Sequence, residues 1–78
     1  MYKKRMKIDS NKLKGARVTK GKTQADVAKL LNIDNTTYAK KENGDSEFRL
    51  REAYLIAEFL EADVLEIFSF IRPDQNAS

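Results

Sequence analysis

The chain contains no cysteine and no histidine, and only one proline and three glycines among its 78 residues. Without cysteine there are neither disulfides nor thiolate metal sites. Without histidine the commonest general base and the commonest metal ligand are both missing. The remaining carboxylates are spread over helix caps and helix surfaces, so no catalytic constellation emerges, and no cofactor or metal is expected. No apolar run approaches the ~18–20 residues of a membrane span. The basic N-terminal stretch lacks the apolar segment of a signal peptide, so no membrane association and a cytoplasmic location are expected. The scarcity of proline and glycine favours helices with brief turns over a strand-rich sandwich.

What is present fits one soluble domain. Hydrophobic residues make up 41% and charged residues 35% of the chain, a balance typical of a globular fold. A chain of this size buries around 60% of its unfolded surface. The formal net charge of +3 hides a strong asymmetry. Residues 1–22 carry nine Lys or Arg against Asp9 alone, a balance of +8. Residues 23–44 are neutral, with three charges of each sign, and residues 45–78 carry three Arg against eight acids, a balance of −5. The basic end suits a polyanionic partner, while the bland alternative is that its lysines only keep the protein soluble.

Residues 1–8 hold Lys3, Lys4, Arg5 and Lys7 without structural period. They are read as a basic arm suited to phosphate contact. The alternative is a strand laid over the core by Tyr2, Met6 and Ile8. The domain proper is expected over residues 9–71, with a disordered tail at 72–78.

Five helices are predicted. The first opens at Asp9 or Ser10 and runs to about Lys20, with Leu13 and Ala16 inward and Gly21 stopping it. Gly15 inside it costs about 1 kcal/mol relative to Ala and has no evident reason. Thr23 and Asp26 form a capping box for the second helix, whose Val27, Ala28 and Leu31 share a face. Asn32-Ile33-Asp34 is a tight turn in which Asn tolerates the left-handed conformation and Asp34 caps the next helix. The third helix, Asn35 to Asn43, has Tyr38 as its only strongly apolar residue and is otherwise rich in hydrogen-bonding side chains. Such a helix is ordinarily just solvated, but its place after a capped helix and turn marks it as a reading element. The fourth runs from about Arg49 to Leu60, with Leu50, Ala53, Tyr54, Ala57 and Leu60 as core, Ile56 at the margin, and Phe48 anchoring the preceding loop. Asp63 to Glu66 is a second capping box, opening a fifth helix that ends near Ile71 before Pro73. Its surplus apolar residues mark Leu65, Phe68, Phe70 and Ile71 as candidate dimer contacts.

Arg17, Thr23-Gln24, Val27-Ala28, Ile33-Asp34, Tyr38 and Glu42-Asn43-Gly44, followed by Leu50, Ile56-Ala57, Leu60 and Asp63 to Ile67, resemble the phage-repressor and Cro type of helix-turn-helix, the Xre family. The resemblance covers about Leu13 to Phe68. It implies an all-α, five-helix lambda-repressor-like domain with the helix-turn-helix at the second and third helices. It further implies base reading by Asn35, Thr36 and Lys40, with Thr37 and Ala39 alongside. Phosphate contacts would come from Lys22, Thr23, Gln24, Asn43 and Gly44, with Gln24 also bracing Asn35. Arg17 and Glu42 match a family ion pair. The side-chain chemistry is compatible with these roles: Asn can bond adenine in bidentate fashion, and Lys can donate to guanine or settle for a phosphate. Departures from the family pattern are Lys22 for a leucine, Lys41 for an apolar residue, Phe48 for a proline and Glu61 for a glycine.

The expectation is a transcriptional regulator that binds double-stranded DNA sequence-specifically as a homodimer. The absence of a separate oligomerisation or cleavage domain favours a Cro-like repressor of phage or mobile-element type. The alternative from another class is an antitoxin-type interaction protein whose acidic C-terminal half holds a protein partner.

Overall fold

The computed structural model describes the backbone of residues 5–71 and the side chains of residues 8–68. Five helices follow one another: α1 (Ser10–Thr19), α2 (Gln24–Leu31), α3 (Asn35–Glu42), α4 (Leu50–Phe59) and the single turn α5 (Val64–Ile67). Strands β1 (Arg5–Ile8) and β2 (Phe68–Ile71) bracket them and pair antiparallel, with Arg5 opposite Ile71 and Ile8 opposite Phe68. The expected five-helix architecture is thus present, with a short ribbon added to it.

The ribbon changes two expectations. Residues 5–8 form a strand and not a free arm, while 1–4 and the tail 72–78 lie outside the described residues. The fifth helix ends at Ile67 and not at Ile71, because Phe68 already has extended backbone (φ −117°, ψ 141°). The run Ile67-Phe68-Ser69-Phe70-Ile71 is rich in β-branched and aromatic residues, which fit a pleated strand once β1 offers a partner. The amide of Asp9 donates to the Ile67 carbonyl at 3.4 Å, joining the ribbon to the start of α1.

Caps set the helix starts. Asp9 accepts from the amides of Asn11 and Lys12 at α1, and the full Thr23–Asp26 capping box is formed at α2. Asp34 accepts from Thr37 N at 2.7 Å; at α5 Asp63 accepts from Leu65 N at 3.0 Å, a simple cap in place of the box expected with Glu66. The helix ends share one device. Gly21, Asn32, Gly44 and Glu61 all have positive φ. At each, the amide of that residue bonds a carbonyl three residues back, and the next amide bonds one five residues back. This is the Schellman closure, which satisfies the last carbonyls and turns the chain within a few residues. Glycine and asparagine adopt it readily, whereas Glu61 holds a left-handed conformation (φ 55°) with a Cβ in the way.

The core is formed by Leu13, Val27, Ala28, Tyr38, Phe48, Ala53, Ile56, Leu60, Ile67 and Phe68. Tyr38, Phe48 and Phe68 meet edge to face, with ring centroids 6.2 and 5.2 Å apart. Phe48 therefore does anchor the loop before α4. Phe68 is wholly buried and belongs to the monomer core, so its side chain is not presented to a second chain. On α4 the inward stripe is Ala53, Ile56, Ala57 and Leu60. Leu50 and Tyr54, expected in that core, are 52% and 54% exposed. A helix rotated to bury Ile56 completely must turn Leu50 and Tyr54 outward, since they lie on the far side of the wheel. Gly15 has open space where a Cβ would stand, so packing among the described residues does not require it.

Glu61→Gly should raise the melting temperature by a few degrees, read by circular dichroism. Glycine relieves the left-handed backbone, and the Lys20 bridge it removes is exposed and screened by solvent. A lowered melting temperature would show that the bridge outweighs the backbone.

Candidate nucleic-acid interface

α3 is held from behind by a buried carboxylate. Glu42 is 0% exposed and accepts from three side chains on three helices. Arg17 of α1 donates through Nε at 2.8 Å and Nη2 at 3.3 Å. Gln24 of α2 donates through Nε2 at 2.7 Å, and the Tyr38 hydroxyl of α3 itself donates at 3.0 Å. The remaining Arg17 reach, from Nη1, goes to the Lys22 carbonyl at 2.9 Å, in the connection between α1 and α2. The expected ion pair is thus the centre of a fully satisfied network, with Arg17 9% exposed.

Burial works against the Glu42 carboxylate, but the donors from Arg17, Gln24 and Tyr38 prevail and hold it below its ordinary range. The same hydrogen bond to Glu42 raises Arg17 further. Burial, with the neighbouring carboxylate, pushes the Tyr38 phenol well up, so it stays a donor. A buried pair is stabilising only when its lone pairs and protons are all used, and here no buried side-chain polar atom lacks a partner among the described residues.

With Tyr38 and Glu42 locked inward, the helix period fixes what α3 shows to solvent. Asn35, Thr36, Lys40 and Asn43 are exposed, and Ala39 is half-buried between them. Thr36, Lys40 and Asn43 follow the i, i+4, i+7 spacing of one face. Thr37 is exposed but sits one row round, above Lys41, where it lines a groove toward Arg49, Arg51 and Leu55 of the α4 side. It stands at the margin of the outward face and not in its centre.

The residues expected at phosphates are placed less uniformly. Gln24 spends its amide nitrogen on Glu42, where the resemblance implied a brace for Asn35. Lys22 lays its ammonium over the Phe59 ring, 5.0 Å from the centroid. The amides of Asn43 and Gly44 donate to the Ala39 and Lys41 carbonyls. At this segment it is the exposed Asn43 side chain that remains for an outside acceptor. Thr23 is exposed, with its hydroxyl serving the Asp26 amide. Lys3 and Lys4 lie outside the described residues, as do the side chains of Arg5, Lys7, Phe70 and Ile71. Leu65, expected at a dimer contact, is 65% exposed.

Two features escaped the sequence reading. Lys41 has its ammonium 2.8 Å from the Glu47 carbonyl and 3.3 Å from Glu52 Oε1, above the Phe48 ring. Glu52 Oε1 also accepts the Arg49 amide at 2.9 Å, at the start of α4. Lys41 is therefore a brace between the end of α3 and the start of α4, and the position of Glu52 three residues after Arg49 was the available signal. The second is the loop after Gly44, where Asp45 and Glu47 are exposed and unfavourable to a phosphate on that flank.

Compared with known proteins, residues 13–67 match the family model described as helix-turn-helix, of the Xre, lambda-repressor and Cro type. The chain belongs to that family. A comparison with curated proteins finds no match. As a helix-turn-helix protein it carries a DNA-binding domain of the kind that regulates transcription. In this member α2 and α3 are the paired helices, Asn32 makes the left-handed turn between them, and Glu42 clamps both to α1. No helix among the described residues is long and apolar enough to cross a membrane.

Replacing Glu42 with Gln should destabilise the fold at neutral pH by about 3–5 kcal/mol, by leaving Arg17 charged and buried without its counter-ion. The folded Glu42 carboxyl lies below its unfolded value of about 4.3. Its contribution is therefore complete above that pH and disappears as the pH falls through the folded value. Urea unfolding of both proteins should show the gap narrowing below about pH 4. A gap independent of pH would mean that the carboxylate charge is not what matters.

Proposed function

We propose that this protein is a Cro-like repressor that reads the major groove of double-stranded DNA with α3 and acts as a homodimer. The reading rests chiefly on one observation. The buried row Tyr38–Glu42 fixes the roll of α3, so that Thr36, Lys40 and Asn43 face outward together, with Asn35 exposed at the first position of the helix. Asn35 suits the N6 and N7 edge of adenine, and Lys40 suits guanine O6 or N7. Thr36 and Ala39 offer methyl groups to thymine, and Thr37 reaches only the margin. Each good bidentate contact discriminates by about 1–3 kcal/mol.

Positioning on the backbone falls to Thr23, Gln24, Lys22, Asn43 and Gly44, assisted by the basic residues Lys3, Lys4, Arg5 and Lys7. Gln24 can still offer its carbonyl oxygen as an acceptor, and Lys22 must leave Phe59 to meet a phosphate. Asp45 and Glu47 repel phosphates after α3, so attraction comes from the N-terminal flank of the molecule. A homodimer places two copies of α3 in half-sites about 34 Å apart.

An antitoxin-type reading draws on Leu65, which is exposed between the acids Asp63 and Glu66. A small basic protein co-purifying stoichiometrically from the native host would favour it.

Selection from random DNA followed by titration tests the repressor reading. Lys40→Ala should flatten the preference at one position of each half-site while leaving binding to random DNA nearly unchanged. Replacing Lys4 and Arg5 together should weaken binding to every sequence and reduce the slope of log K against log salt by about 2. Equal effects of both changes on selected and random DNA would defeat the base-reading role of Lys40.

A further inference from the structure

Among the described residues the outward face of α4 has no partner. Leu50, Arg51, Tyr54 and Glu58 are its exposed positions, and two of them are large apolar side chains more than half open to solvent. A surface helix ordinarily turns polar residues outward. Arg51 and Glu58 make no ion pair among the described residues. They stand seven positions apart, about 10 Å along the helix axis, too far to pair with each other.

We propose that this face is self-complementary and that a second copy of the chain docks on it with its α4 antiparallel. The proposal rests on the homodimer reading above and names the surface that reading requires. Arg51 lies three residues before Tyr54 and Glu58 four after it. A two-fold axis passing near Tyr54 therefore sets Arg51 of each copy beside Glu58 of the other. The two Tyr54 rings meet at the axis, and each Leu50 packs beside them. Tyrosine and arginine are the side chains that anchor such contacts, and an isologous pair satisfies both charges twice with one operation.

The other exposed apolar residue of the C-terminal half argues by contrast. Leu65 lies in a stretch whose other exposed residues include the acids Glu61, Asp63 and Glu66, so two copies meeting there would oppose like charges. Of these two surfaces, the α4 face is the one that carries both signs in register. A pair of ten-residue helices buries less than a standard interface. The free dimer is accordingly weak, and two linked half-sites on DNA strengthen it by raising the effective concentration.

Sedimentation equilibrium of the full chain, with circular dichroism to confirm folding, tests the proposal. Arg51→Glu and Glu58→Arg should each weaken self-association about tenfold or more without altering the melting temperature. The double exchange Arg51→Glu with Glu58→Arg should restore it, since the charges then meet again across the axis. Tyr54→Lys should leave a folded monomer that still binds a single half-site. Wild-type protein that dimerises while all of these variants do so equally well would overturn the α4 surface and leave the homodimer standing. Wild-type protein that stays monomeric at millimolar concentration and binds a two-half-site DNA without cooperativity would overturn both.

Discussion

The Glu42 carboxylate is the constraint on which the rest of the domain depends. An ion buried without compensation costs several kcal/mol, so the fold can contain Glu42 only if every donor around it is in place. Those donors come from α1, α2 and α3, and satisfying them helps to fix the mutual placement of the three helices. α3 in particular offers the core only Tyr38. A helix so poorly anchored by hydrophobic burial needs a directional restraint, and hydrogen bonds to a buried charge are more orientation-specific than apolar packing. The polar composition that lets α3 face DNA is thus compatible with a fixed pose.

On the other side of α3 the Lys41 brace has a similar logic in a wetter setting. Its ammonium is mostly covered, and it joins the Glu47 carbonyl, Glu52 and the Phe48 ring. The family tendency at this position is apolar; here a long aliphatic stem carries a charge to the far side of the loop. The loop between α3 and α4 is therefore held by its side chains as well as by the closure at Gly44.

Much of this was legible in the sequence because it rests on local rules. The caps at Asp9, Thr23, Asp34 and Asp63, the turn at Asn32 and the buried stripe of α2 follow from short-range chemistry, and the structure has them in place. The ion pair between Arg17 and Glu42 came from the family pattern, not from spacing. Its extension to Gln24 was hidden, because an amide side chain can turn toward either a buried acid or solvent. The errors have a common origin in contacts between distant segments. Periodicity alone could not say which side of α4 carried the core, since a stripe through Leu50 and Tyr54 and one through Ile56 and Leu60 read equally well. Nor could it reveal that residues 5–8 pair with residues 68–71, sixty or more positions away.

That ribbon has a geometric outcome of its own. Because Arg5 stands opposite Ile71, the domain begins and ends at one spot. The chain enters the described fold at Arg5 and leaves it at Ile71 within the width of a two-stranded sheet. The two ends of the described fold form a single doorway.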